Sequence, residues 1–175
     1  MTLYKNKYRV ESIRKKDFDY SSDGYYFVTI CTKNRESLFS KIIDNKIILN
    51  QYGKILEDCW FDLPNHYQNI QLDKYMIMPN HFHGIIKICN VIVETGLQPV
   101  STTEILSEFV RALKTFSSKR INKLRNISKD EKGFKPFSTV WQPGFYDHII
   151  RNNKDLNKIR KYINDNPLFL DDRNL

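Results

Sequence analysis

Two histidines one residue apart, and a tyrosine followed four residues later by an asparagine, are the side chains of this chain whose spacing could do chemistry. His81 and His83 lie in Tyr75-Met-Ile-Met-Pro-Asn-His-Phe-His-Gly-Ile-Ile-Lys-Ile88, which reads as a strand, a break at Pro79-Asn80 and a second strand. Alternate residues of a strand share a face, so His81 and His83 point one way and Phe82, Gly84 and Ile86 the other. Two neutral imidazoles on one face can hold a divalent cation. They do not complete a site, so a third ligand has to come from elsewhere, with open positions left for substrate. Taken alone, such a pair is more often two ordinary histidines at a strand edge. The apolar strands around it and a third ligand further along the chain favour the metal.

That ligand comes from the last helix, expected from Lys154 to about Asp165 and capped by Asn152 or Asn153. Leu156, Ile159 and Ile163 make its buried stripe. Asp155, Lys158, Tyr162 and Asn166 make a polar stripe directly beside it. Tyr162 then stands between core and cleft, and Asn166, one turn on, reaches the same spot. The amide oxygen of Asn166 suits a hard divalent cation such as Mg²⁺ or Mn²⁺. Pro167 disfavours helical backbone at Asn166, so that placement depends on how the helix ends. A tyrosine beside such a cation can be a nucleophile. Its free pKa of about 10 keeps it protonated at neutral pH, and a cation on a phosphodiester oxygen makes the phosphorus more electrophilic. Attack would form a covalent phosphotyrosine and release a sugar hydroxyl. The bond energy is kept, so strands could be rejoined without ATP. Tyr162 is one of 10 tyrosines, and simple packing explains a lone one equally well. Tyr146, which shares a strand face with His148, is the rival nucleophile.

The elements that must hold these groups follow from pattern. Tyr25-Tyr-Phe-Val-Thr-Ile-Cys-Thr32 is β-branched and aromatic, with apolar residues on both faces, and should be a central strand. Ile42-Ile43 and Ile47-Ile48-Leu49 flank Asp44-Asn45 as a small hairpin. A helix from about Gln51 to Leu63, capped by Asn50 and ended by Pro64, carries Ile55, Leu56, Cys59, Trp60 and Leu63 on one stripe. His66 falls in the loop after it. A second helix follows Glu104, with Ile105, Leu106, Phe109, Val110, Leu113 and Phe116 inward and Arg111, Lys114, Lys119, Arg120, Lys123 and Arg125 off that face. Phe145 to Ile150 is a short strand. Segments 90–103 and 126–139 read as loops. The order fits one α+β domain over 1–175, a ferredoxin-like antiparallel sheet with its helices packed on one face.

The 175 residues, 41% of them apolar, suffice for one core. No apolar run is long enough to cross a membrane and no signal segment opens the chain. Three cysteines, Cys31, Cys59 and Cys89, without CxxC spacing read as buried thiols in a reducing cytosol. A net charge of +8 favours a polyanionic partner, nucleic acid before membrane. Residues 1–24 form a candidate basic arm. Arg14, Lys15 and Lys16 in that arm, Arg111 and Lys114 on the second helix and Lys158 on the last are candidate phosphate contacts.

Across nearly its whole length the sequence resembles the single-tyrosine HUH transposases, IS200-like, and among them the REP-associated tyrosine transposases. The resemblance is carried by Ser12-Ile-Arg14, Tyr25 to Thr32, Met78-Pro-Asn-His-Phe-His-Gly84, Trp141-Gln-Pro-Gly-Phe-Tyr-Asp-His-Ile-Ile-Arg-Asn152 and Tyr162-Ile-x-x-Asn-Pro167. It implies an HUH endonuclease-like fold. His81 and His83 would be ligands of Mg²⁺ or Mn²⁺, Asn166 the third ligand and Tyr162 the nucleophile. Family members cut and join single-stranded DNA beside imperfect hairpins and leave a 5′-phosphotyrosine. They differ on whether the tyrosine acts in its own subunit or a partner's, so both monomer and homodimer stay open. The alternative is a basic protein that binds hairpin DNA or RNA without cutting it.

Overall fold

The computed structural model describes residues 18–89, 105–125 and 139–169, together with the backbone of two short paired strands, β1 (Leu3–Tyr4) and β2 (Tyr8–Arg9). The central sheet has four strands: β3 (Gly24–Cys31), β6 (Ile70–Ile77), β7 (His81–Ile88) and β8 (Tyr146–Ile150), in the order β6-β7-β3-β8. Every pairing is antiparallel. A separate hairpin, β4 (Ser40–Ile43) with β5 (Lys46–Leu49), turns through Asp44 and Asn45 at φ 49 and 57. Left-handed backbone at both turn residues gives a two-residue turn whose twist matches the strands, and Asp and Asn tolerate it best after glycine.

As expected of a central strand, β3 is buried on both faces. Tyr26, Val28 and Ile30 are buried against α1 (Gln51–His66) and α2 (Leu106–Leu124), with Leu56, Trp60, Leu63, Phe109 and Leu113 facing them. Phe27, on the other face, packs with Ile85, Ile150, Leu156 and Ile163. Leu156 and Ile163 belong to α3 (Asn153–Asp165). The antiparallel α+β sheet is therefore as expected, but the helices do not share one face: α1 and α2 lie on one side and α3 on the other. Phe27 and Ile85 are the physical reason, since apolar groups on the second face also need cover.

Asn50 caps α1, accepting from the backbone N–H of Tyr52 and Gly53 at 2.9 and 3.1 Å. Pro64 does not end this helix, which runs to His66. The proline removes a single backbone donor in the last turn. That turn closes all the same when the Tyr67 N–H donates to the Leu63 carbonyl at 3.0 Å. Cys59 is buried, whereas Cys31 and Cys89 are only half-buried, and all three are free thiols. No helix among the described residues is long and apolar enough to cross a membrane. The proposed loops fall largely outside the described residues, as do Arg14, Lys15 and Lys16 of the basic arm.

Gly84 sets how closely α1 approaches the sheet. A Cβ there would meet the rings of Phe82 and Trp60, both at 2.8 Å. Those rings are fully buried, with centroids 5.0 Å apart and planes tilted at 57°. Gly84→Ala is expected to lower unfolding free energy by about 1–3 kcal/mol, the usual cost of overpacking a filled core. Chemical denaturation of Gly84→Ala beside wild type checks this.

Candidate active site

Strand β7 divides its side chains as the alternation requires. Phe82 is fully buried under α1 and α2, and His81 and His83 face α3 with Ile85. Thr29 on β3 pairs with His83, and its hydroxyl lies 2.8 Å from His83 Nδ1. Asn80 Oδ1 lies 2.7 Å from His81 Nδ1. An amide oxygen only accepts, so His81 Nδ1 carries the proton and its Nε2 is a lone pair. Asn166 Nδ2 is 3.1 Å from His83 Nε2 and donates to it, which makes that nitrogen a lone pair too. The two Nε2 atoms are 3.0 Å apart. With both rings protonated at Nδ1, the two Nε2 lone pairs are available to one cation.

Burial pushes His83 down to about 3, with His81 beside it adding to the shift. Burial, and then the positive charge of Arg35, pushes His81 down to about 4. Both rings are therefore neutral at pH 7, the form in which imidazole binds metals. A half-turn of the Asn166 amide would exchange Nδ2 for Oδ1 at the same point and present a third lone pair. This set fits a divalent cation. Among the described residues no group of three or more His, Cys, Asp or Glu offers another site.

Asn166 keeps right-handed helical backbone, φ −55 and ψ −39, despite the proline after it. The chain continues as a short 3₁₀ turn, Asn166–Phe169. The one-turn relation between Tyr162 and Asn166 is therefore preserved. Asn166 is buried while Tyr162 is 46% exposed. The Tyr162 ring sits edge-on to His83 at 5.5 Å and to Phe27 at 6.1 Å, and Phe27 stacks on His83 at 5.3 Å. Together His81, His83, Tyr162 and Asn166 form one cluster on the α3 face.

Two polar ties that the sequence did not suggest fix α3 over the histidines. A bulge in β6 between Leu72 and Tyr75 turns Asp73 out of register. Arg160 grips it as a fork, Nε to Oδ1 at 3.0 Å with a second bond to Oδ2. These bonds hold the Asp73 carboxyl below the usual carboxylate range. At the other end His148 Nε2 meets Asp155 Oδ2 at 2.9 Å, joining β8 to the first turn of α3. Under the phosphotyrosine chemistry that the family resemblance implies, Asp73→Ala should slow adduct formation by roughly ten- to hundredfold while leaving DNA affinity near wild type, because a small misplacement of a reacting group costs rate rather than binding. Single-turnover rates set beside binding isotherms check this.

The basic candidates separate. Lys158 is exposed one turn before Tyr162. Arg111 is exposed on α2, 3.5 Å from Glu108, on the far side of the sheet from the histidines. Lys114 differs from expectation. Its ammonium donates to the carbonyls of Gln142, at 2.8 Å, and Gly144. Burial pushes it down to about 8. It holds the chain before β8 and is not a free phosphate contact. A cleft of about 440 Å³ lined by Tyr25, Ile150 and Asn152 lies at the other end of β3 and touches neither histidine.

Sheet and helices place the chain in the HUH class of folds. Its backbone matches the structure of a REP-associated tyrosine transposase bound to a REP hairpin, with a TM-score of 0.60 and 19% identity, covering 91% of this chain and 73% of that one. The sequence model of the family described as "Transposase IS200 like" matches residues 20–166, and the chain belongs to that family. An uncharacterised protein of Haemophilus influenzae is 35% identical over 167 residues, covering 90% of this chain and 87% of its own length.

Proposed function

We propose that this transposase cuts and rejoins single-stranded DNA beside hairpins through a covalent 5′-phosphotyrosine on Tyr162. His81, His83 and Asn166 would hold Mg²⁺ or Mn²⁺. The observation that carries this reading is the convergence of two imidazole lone pairs and one amide under the exposed Tyr162 ring. The hairpin in the related transposase structure supports the substrate, and the net charge of +8 suits a polyanion. A bound cation would supply positive charge to a phosphoryl oxygen.

The chain's own residues do the rest. Thr29 and Asn80 orient the imidazoles and fix their protons on Nδ1, as outer partners of metal-binding histidines do. Tyr162 offers its hydroxyl to the phosphorus, and the phenolic proton leaves to solvent, which its exposure allows. The Tyr162 O–P bond forms, the P–O3′ bond breaks and the departing O3′ takes a proton. Rejoining reverses these steps, with a 3′-hydroxyl attacking the phosphotyrosine and restoring the phenol. Lys158, exposed beside Tyr162, contacts the backbone phosphates. A cytoplasmic location suits such DNA chemistry and the three free thiols.

Incubating end-labelled single-stranded hairpin DNA with the protein and Mn²⁺, followed by a denaturing protein gel, tests the reading. A labelled protein band supports it. Binding without cleavage points to the non-cleaving alternative, and cleavage without a protein band points to hydrolysis by water.

A further inference from the structure

We infer that Tyr146 is a stacking platform for a nucleobase flanking the cleaved phosphate, an inference that rests on the strand-cleavage reading above. Thr29 is the register partner of His83 on one side and of Tyr146 on the other. His83, Thr29 and Tyr146 therefore form one row across β7, β3 and β8, and residues directly opposite in antiparallel strands point to the same face. Two strand spacings separate Tyr146 from His83, about 10 Å. Helix α3 covers Phe27, Ile85 and Ile150 on this face but leaves Tyr146 open, 56% exposed. Of the large exposed apolar side chains among the described residues, Ile43 and Ile48 belong to the separate hairpin and Phe61 and Leu124 to α1 and α2. Tyr146 and Tyr162 are the two on the histidine face.

The position is also rigid. Lys114 ties down the carbonyls of Gln142 and Gly144 just before it, and Trp141 bridges to Thr32. Two residues further along the same face of β8, the His148–Asp155 bond anchors the strand to α3. An exposed ring on a backbone tied down on both sides offers a base a flat apolar surface beside the proposed phosphodiester site. Stacking of this kind tolerates any sequence, because every base has a π face. The ring lies two strands from the histidine strand, with β3 between them and on the side away from β6, so a single strand running across the sheet from the phosphate at Tyr162 passes over it.

The test is equilibrium binding of the full chain, in chelator to prevent cleavage, to single-stranded hairpin oligonucleotides carrying one abasic site at successive positions around the cleavage point. Tyr146→Ala is expected to weaken binding of the intact oligonucleotide roughly tenfold, and Tyr146→Phe by no more than about twofold, since stacking on an aromatic ring is worth about 1–3 kcal/mol per base. One abasic position should weaken wild type roughly tenfold and leave the Tyr146→Ala protein unchanged. A merely structural role would not single out one base. Tyr146→Ala binding as tightly as wild type, or abasic profiles that coincide for the two proteins, overturns the inference while the cleavage reading stands. A wild-type protein that binds no single-stranded oligonucleotide overturns both.

Discussion

The Tyr162→Phe protein is expected to fold, bind hairpin DNA and bind metal as wild type does, and to form no covalent adduct at all. The substitution removes one oxygen from a ring that is 46% exposed and leaves its edge-on contacts with His83 and Phe27 in place. Stability should move by no more than about 1 kcal/mol, the worth of one hydrogen bond. No other group in the cluster replaces the nucleophile, because the imidazoles have their lone pairs turned toward each other and an amide is not nucleophilic. Adduct yield on a denaturing gel and thermal unfolding together check this. Adduct at wild-type yield from Tyr162→Phe would remove the assignment.

The next largest effect belongs to the histidines. His81→Ala should lower the rate of adduct formation by about a thousandfold or more, since loss of a preorganised charge-stabilising element at a phosphoryl centre costs at least about 10²–10³ in rate. Hairpin affinity should stay close to wild type, because phosphate contacts elsewhere supply most of it. His81 is the cleaner site to change. His83 is buried, stacks on Phe27 and bonds Thr29, so His83→Ala also leaves a hole in the packing. Rates measured across a Mn²⁺ titration and in chelator check the prediction. Full-rate cleavage by His81→Ala in chelator would contradict the metal assignment.

Much of the cluster could be read from spacing, and the reasons are local. An apolar Phe82 between two histidines forces both onto one face of a strand. A four-residue step from Tyr162 to Asn166 puts both on one helical stripe as long as the helix holds. The structure shows that Pro167 does not break it, because the chain passes into a 3₁₀ turn with Asn166 still in helical backbone. The side of the sheet that α3 covers was harder to read. Leu156, Ile159 and Ile163 define which stripe is buried but not what buries it. The hint was Phe27, an apolar residue on the second face of β3 that only another layer could cover.

Thr29 and Asp73 could not be found this way. Thr29 reaches His83 through strand register across 54 positions, and Asp73 meets Arg160 at a bulge in β6 across 87 positions. Lys114 went astray for a related reason. A lysine at the margin of an apolar stripe looks like surface charge, yet its long stem lets the ammonium turn back to buried carbonyls.

The central claim is that the phenol over the histidine pair is the group that takes the DNA strand, and mapping the adduct tests it most directly. Wild-type protein is incubated with single-stranded hairpin DNA and Mn²⁺, the covalent product is digested with nuclease and trypsin, and the nucleotide-bearing peptide is sequenced by mass spectrometry. The modified peptide is predicted to contain Tyr162. A modification on the peptide containing Tyr146 would contradict the account.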